Sequence, residues 1–426
     1  MRIIILGTCD TKLDELLYLR QEIIKSSQGR AAIVLIDAGR TPVHHDAITY
    51  PQEVLTTLHA PSPSKDVSTL PRGEVIKYMS ACAINACKDA LRPSQVNPPH
   101  MTITGVISAG GTGGTSLASA VMREVFPIGF PKLIVSTVAS GDCGPIVEES
   151  DITMMNSVVD IAGTNSLLKR ILSNAAGAIV GMADAYERPM QDSSHAQNAT
   201  DQRKRVGLTM FGVTTPCVDK IRDQLESMYP IECFVFHCTG HGGKAMERLV
   251  REGKLDAVLD ITTTEVCDHL MGGNMSAGPD RLEAALQAGI PCIISVGATD
   301  MVNFGAIATV PEKYQSRKLF EHNPMVTLMR TSPEECKEIG DFIAWKINRF
   351  AKVPKKVQVV LPKGGVSMIA TKDAPFYDAD ADKAIFDAIE TGLKGSAVEV
   401  ISDERQINDE SFAVDVAERM ARLMDL

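Results

Sequence analysis

Short runs of aliphatic, often β-branched residues recur along the chain, each stopped by small or polar residues and followed by a stretch with helical spacing. Ile3-Ile4-Ile5-Leu6 stops at Gly7, and the unit returns as Ala32 to Ile36, Thr104 to Ile107, Lys132 to Val135 and Ala178 to Val180. Wholly apolar runs of this length predict strands buried on both faces, which belong to parallel sheets. Between several of them lie segments such as LDELLYLRQEII, with apolar residues at helical spacing. A second series occupies Val206 to Phe211, Cys233 to Phe236, Ala257 to Leu259, Cys292 to Ile294, Val357 to Leu361 and Ala397 to Ile401. KAMERLVREG, DRLEAALQAG and PEECKEIGDFIAWKINRF supply its helical patterns. The alternation predicts an α/β protein of two doubly wound, Rossmann-like domains with mainly parallel sheets.

The stretch YERPMQDSSHAQNATDQRKR, residues 186–205, is polar and nearly free of aliphatic residues, as a linker between cores would be. The predicted organisation is a nucleotide-binding domain over residues 1–185, a linker over 186–205 and a second domain over 206–426. Length agrees: 426 residues with 44% hydrophobic content exceed what a single core accommodates, roughly 250 residues.

Small and polar residues cluster just after the strands, where open α/β sheets bind ligands. The densest cluster is ISAGGTGGTS, residues 107–116. Its glycines let backbone N–H groups converge on an anion, and the following helix adds the positive end of its dipole. Gly110, Gly111, Thr112, Gly113, Gly114 and Thr115 are therefore candidate phosphate contacts, with the hydroxyls of Thr112, Thr115 and Ser116 as further donors or metal contacts. Neither a Walker P-loop nor the dinucleotide fingerprint is present. A tight strand-to-helix turn would explain the same glycines.

Gly7, Thr8, Asp10 and Thr11 follow the first strand, where such folds place an early contact loop. Thr11 with Asp14 also reads as a helix-capping pair. Asp37, ending the second strand, resembles the acid that takes ribose hydroxyls in dinucleotide folds. Ser140 to Gly144, with Glu148, Glu149 and Asp151, forms a polar segment able to carry magnesium or a general base, or simply a solvated loop. Cys143 has no visible partner histidine and reads as structural.

In the second half, His237 and His241 flank a glycine-rich turn, HCTGHGG. They are candidates for a metal site or a proton shuttle, although a second anion-binding turn closed by Lys244 fits the glycines better. Asp260 to Glu265, Asp280 and Arg281, the MGGNMSAG stretch, Asp300 and Asn303 all fall after strands. Together they suggest a ring of hydrogen-bonding groups for a small polar ligand.

A net charge of -10 argues against a nucleic-acid surface. Ten scattered cysteines without a CxxC pair fit a reduced, cytoplasmic setting. The N-terminal MRIIILGTCDTK is too short in apolar residues for a signal peptide or a membrane span.

Set in order, GTCDTK, SAGGTGGT, STVASGD, FHCTGHGGKAMERL, DITTTE, SAGPDRLEAA, DMVNFG, HNPMVTLMRT and LPKGGVS run almost end to end. With these motifs the chain resembles the Tm-one-like ATP-binding domain family. The resemblance implies two Rossmann-like domains, ATP binding and a homodimer, and longer relatives with a C-terminal barrel that this chain is expected to lack. Loop physics then assigns the phosphates to the Gly7 to Thr11 turn and the Gly110 to Thr115 loop, with magnesium as a candidate companion. The leading expectation adds a second small molecule in an interdomain cleft, facing His237, His241, Glu265 and Asp300 as candidate catalytic groups of an ATP-dependent enzyme. The rival is a non-catalytic, ATP-regulated module that recognises another protein, as the plant member of the family does with a viral replication protein.

Overall fold

The first series of aliphatic runs becomes a five-stranded sheet in the computed structural model, which describes residues 1–92, 102–188 and 203–426. Its strands are β1 (Arg2–Gly7), β2 (Ala32–Asp37), β3 (Ile103–Gly110), β4 (Lys132–Ser136) and β5 (Thr153–Asn156). They run parallel in the order β2-β1-β3-β4-β5. The helices are α1 (Cys9–Ser26), α2 (Gln52–Thr57), α3 (Arg72–Ala90), α4 (Thr112–Val125), α5 (Gly144–Val147) and α6 (Ser166–Glu187). Successive strand residues face opposite sides. Ile3 and Ile5 pack with Leu16, Leu19 and Leu172 of α1 and α6, while Ile4 and Leu6 pack with Met79 and Val121 of α3 and α4. Unit 1, Met1–Ala196, is thus covered on both faces.

Unit 2, Gln197–Leu426, repeats the plan with one strand more. Its parallel sheet joins β6 (Lys204–Met210), β7 (Ile231–His237), β8 (Ala257–Thr262) and β9 (Cys292–Gly297) to β13 (Val357–Pro362) and β14 (Glu399–Asp403). Between them β10 (Met301–Phe304), β11 (Leu319–Asn323) and β12 (Val326–Arg330) form a small antiparallel sheet. The helices are α7 (Thr215–Met228), α8 (His241–Arg251), α9 (Thr264–Met271), α10 (Ala284–Ala288), α11 (Pro333–Phe350), α12 (Ala379–Gly392) and α13 (Glu410–Leu423). The order β14-β13-β9-β8-β6-β7 places the first strand between the second and third, as in unit 1. The mainly parallel, doubly wound α/β architecture read from the sequence is present in both units.

Several local expectations are corrected. Ala178 to Val180 lie inside α6, whose buried Leu168, Leu172, Ala175, Ala176, Ile179, Val180 and Ala183 recur at helical spacing. The predicted linker is shorter at both ends, because α6 continues to Glu187 and β6 begins at Lys204. Residues 189–202 of that linker, which include the sequence Asn198-Ala199-Thr200 read as a glycosylation sequon, lie outside the described residues. The DRLEAALQAG helix shrinks to Ala284–Ala288 because Arg281 and Leu282 turn into the core, Leu282 with φ +76°. Among the described residues no helix is long and apolar enough to cross a membrane.

Candidate functional site

In unit 1 the strand order reverses between β1 and β3, the switch point at which such sheets open a crevice beyond their carboxyl ends. A cavity of about 560 Å3 lies there. Thr8, Asp10, Thr11, Gly111, Thr112, Gly113 and Gly114, all read from the sequence as contacts, border it. Gly111 is the N-cap of α4 and supplies no side-chain acceptor, while Thr115 N–H already bonds the Gly111 carbonyl at 2.8 Å. The N–H groups of Thr112, Gly113 and Gly114 are therefore the free donors that a helix start exposes. A Cβ on Gly114 would meet nothing within 4 Å, so this glycine faces open space.

Other glycines of the motif serve packing. A Cβ on Gly110 would sit 3.2 Å from the Gly114 Cα, and one on Gly7 would run into Leu16 at 2.5 Å. Neither borders the cavity. Thr115 is buried and shares a hydrogen bond of 2.6 Å with Ser136, tying α4 to β4 instead of reaching for a ligand. Ser116 donates back to the Thr112 carbonyl at 3.0 Å. Asp37, expected to take ribose hydroxyls, is fully buried and accepts from the N–H groups of Cys9 and Gly39, each at 2.9 Å. Burial pushes its carboxyl above the ordinary range, against those two donations. The expected Thr11–Asp14 cap is replaced by Thr8, which N-caps α1 and shares a hydroxyl contact of 2.9 Å with Thr11.

Three basic residues in the wall were not singled out in the sequence: Lys12, Arg40 and Arg72. Lys12 breaks the helical geometry of α1 (φ -143°, ψ 29°) and donates to the Ile161 carbonyl at 2.5 Å. Arg40 follows β2, its guanidinium donating to the carbonyls of Ser68 and Leu70 at 2.7 and 3.0 Å. Its backbone N–H donates to Asp10 Oδ2 at 2.8 Å, and those of the next residue, Thr41, and its hydroxyl do likewise. Arg72 opens α3. The charged wall groups number three bases against two acids, Asp10 and Asp160, so the cavity favours an anion. Val75, Ile76, Met79 and Leu117 form its apolar side.

The corresponding place in unit 2 is closed. Arg281, 1% exposed, makes a two-pronged pair with Asp260 at 2.5 and 2.6 Å and donates through Nε to Glu265 at 2.8 Å. Glu247 stands 3.5 Å away and accepts the N–H groups of Leu282 and Ala284 at 2.6 and 2.7 Å. Burial alone would favour a neutral Arg281, but Asp260 and Glu265 outweigh it and hold the guanidinium charged. Burial pushes Glu247 up against the pull of Arg281.

The glycine turn before α8 does hold an anion, and it is the chain's own. The N–H groups of Gly240 and Gly243 donate to Glu265 Oε1 at 2.8 and 3.1 Å. Glu265 is thus a fully buried structural anchor, contrary to its reading as a ligand-facing group. Asp300 is equally buried, accepts from the Ser367 hydroxyl at 2.8 Å and is pushed up to about 6 by burial. Asn303 is fully buried against Asp268. The ring expected to receive a small ligand is instead buried and bonded mainly to its own neighbours, with Asp300 Oδ1 and Asn303 Oδ1 accepting no hydrogen bond among the described residues.

His237 ends edge strand β7, exposed, its ring 5.5 Å from that of Phe211; His241 is exposed at the first position of α8. Among the described residues no cluster of three or more His, Cys, Asp or Glu side chains could hold a metal. In the polar segment of unit 1, Asp151 pairs with Lys132 at 2.6 Å, Glu148 with Arg123 at 3.2 Å, and Asp142 accepts from the Gly144 N–H. Cys143 is half-buried, with only weak contacts from its thiol to the carbonyls of Ala139 and Gly141.

The model described as "Uncharacterised protein family (UPF0261) N-terminal domain" matches residues 1–188, and that of the C-terminal domain matches residues 203–424. A UPF0261 protein of Clostridium tetani is 41% identical over 424 residues, covering 100% of this chain and 99% of its own. The ToMV resistance protein Tm-1 of Solanum lycopersicum is 40% identical over 422 residues, 97% of this chain, which spans 54% of that longer protein. Among solved structures, E. coli heptosyltransferase WaaC with ADP-2-deoxy-2-fluoro heptose aligns with 70% of this chain and 90% of its own at 14% identity and a TM-score of 0.22, a likeness that carries no argument about function.

Proposed function

The chain belongs to the uncharacterised protein family UPF0261, and from that premise we propose that unit 1 binds ATP in the cavity at the β1–β3 switch point. The observation that carries the reading is the uncapped start of α4 opening onto a cavity walled by Lys12, Arg40 and Arg72. Phosphates take the N–H groups of Thr112, Gly113 and Gly114, where the helix dipole adds to the three cations. Val75, Ile76, Met79 and Leu117 offer the base an apolar wall. About 560 Å3 falls within the usual range of small-molecule sites. Magnesium binds through one or two carboxylates together with substrate phosphates, and the exposed Asp160 is the wall carboxylate suited to that part.

Of the two roles for the nucleotide, a regulatory one fits better than turnover. Glu265 and Asp300, two of the four candidate catalytic groups, are buried and held in internal contacts. ATP then acts as a ligand that sets the state of a homodimeric, protein-binding module in the cytoplasm, a compartment suited to ten free thiols. Recognition of a viral protein is not carried to this chain. The test is to incubate purified protein with Mg-ATP, separate the complex by gel filtration and identify the nucleotide. Intact ATP on a dimer supports the module. Steady release of ADP supports an enzyme, and no retained nucleotide with no thermal protection contradicts the proposal.

A further inference from the structure

Unit 2 holds a second cavity, of about 270 Å3, which shares no lining residue with the unit 1 cavity or the Arg281 network. It opens beyond the carboxyl end of β13, between the Lys363-Gly364-Gly365 turn and the first turns of α12. That is where open α/β sheets present ligands. The turn is fixed by close packing. A Cβ on Gly364 would lie 2.6 Å from the Gln406 nitrogen, and Gly365 has φ +139°. The Gly364 N–H bonds the Arg405 carbonyl, and the Gly365 carbonyl accepts from Ile407.

Asp382, 7% exposed, lines this cavity. Arg330 donates to its Oδ1 at 2.5 Å, and the other donations of that guanidinium go to Phe376, Thr331, Cys336 and Asp378. Among the described residues Oδ2 of Asp382 receives no hydrogen bond. Burial pushes the carboxyl up to about 7 despite Arg330, with Asp300 and Asp378 adding to the rise. Two ammonium groups stand on the wall: Lys363, 3.0 Å from Glu390, and Lys383, paired with Asp387. Surface pairs of this kind contribute little, so an entering carboxylate exchanges for them at small cost. Tyr377 and Phe386 supply the apolar contact.

We propose that this cavity binds a small amino-carboxylate of amino-acid size. Its ammonium group bonds Asp382 Oδ2, its carboxylate meets Lys363 and Lys383, and its side chain lies against Phe386 and Tyr377. The volume, half that of the unit 1 cavity, suits such a metabolite and not a nucleotide. The site does not depend on the ATP reading.

The test is saturation-transfer NMR on the full chain with the proteinogenic α-amino acids as probes. Each binder is then compared with the amine lacking its carboxylate and the acid lacking its amine. The expected result is saturation of one chemical subset, with both truncated analogues at least tenfold weaker. Ala379→Trp, at an exposed wall position, should abolish the signal without changing the thermal unfolding curve, and Asp382→Asn should weaken it at least tenfold. Should Asp382→Asn fail to fold, Ala379→Trp decides alone. The proposal is overturned if no amino acid binds, if the acid analogue binds as well as its parent, or if the signal survives Ala379→Trp.

Discussion

At the switch point of unit 1, β1 and β3 end beside a cavity and the N–H groups at the start of α4. At the equivalent point of unit 2, β6 and β8 end on Arg281 and its three carboxylates, and the N–H groups of the glycine turn are taken by Glu265. Two sheets of one topology have resolved the same surplus of backbone donors in different ways. A glycine-rich turn after a strand therefore offers donors for an anion without saying whether the chain itself fills them. What separates the open turn from the filled one is whether another element of the same unit delivers a carboxylate. In unit 2 the start of α9 does; in unit 1 one oxygen of Asp37 takes the N–H groups of Cys9 and Gly39, one oxygen of Asp10 takes those of Arg40 and Thr41, and neither acid accepts from the start of α4.

The largest effect should come from removing the charge that closes unit 2. Arg281→Met leaves Asp260, Glu247 and Glu265 buried without their cation, and stripping one partner from a buried pair costs about 3–5 kcal/mol. Trp345, the chain's single tryptophan, lies on α11 in unit 2 and reports that unit's unfolding by fluorescence. Its transition should move to far lower denaturant; an unchanged midpoint would show that the network is dispensable.

Next in size is a matched pair of glycine substitutions. A Cβ on Gly243 would fall 1.9 Å from Glu265 Oε2 and 2.6 Å from Arg281 Nε, so Gly243→Ala should destabilise unit 2 by about 1–3 kcal/mol, the usual range for overpacking. Gly114→Ala meets open space in the first turn of α4 and should be neutral or stabilising, by up to about 1 kcal/mol. Equal destabilisation by both would remove the contrast between filled and open turns.

A smaller effect concerns pH. Burial pushes Asp268 and Asp382 up to about 7 and Asp300 up to about 6, all in unit 2. An acid whose folded value exceeds its unfolded value, near 4, binds a proton in the fold but not in the unfolded chain across that window. Stability contributed by these groups is therefore present in mild acid and lost as pH rises from about 4 to about 7. The Trp345 unfolding midpoint should be higher at pH 5.5 than at pH 8, and a midpoint that rises with pH would contradict the assignment.

Much of this architecture is legible in the chain, because strands buried on both faces are written as unbroken aliphatic runs: β1, β2, β4, β8, β9 and β13 fall where such runs predict them. The errors have physical causes. Ala178 to Val180 is too short a window to separate a strand from one buried stripe of α6. β5 is a half-exposed edge strand, and β10, β11 and β12 pair antiparallel within an insertion, so neither carries the apolar run of a central parallel strand. At the unit 1 site the backbone donors were readable because they follow a strand in sequence. Arg72 was not, since it reaches the cavity from the start of α3, far along the chain from both loops. Glu265 and Asp300 were misread because sequence position after a strand marks proximity to the crevice but not burial beneath it.

The central claim, that the open turn of unit 1 receives the phosphates of ATP, is tested most directly by calorimetric titration of Mg-ATP into the native protein and Gly114→Asp. That position has room for the new side chain, and its carboxylate would occupy the place of the phosphates. The account predicts one site per chain in the native protein and an affinity at least tenfold weaker, about 1.4 kcal/mol, in a variant with an unchanged unfolding curve. Undiminished binding by Gly114→Asp, or no binding by the native protein, would contradict it.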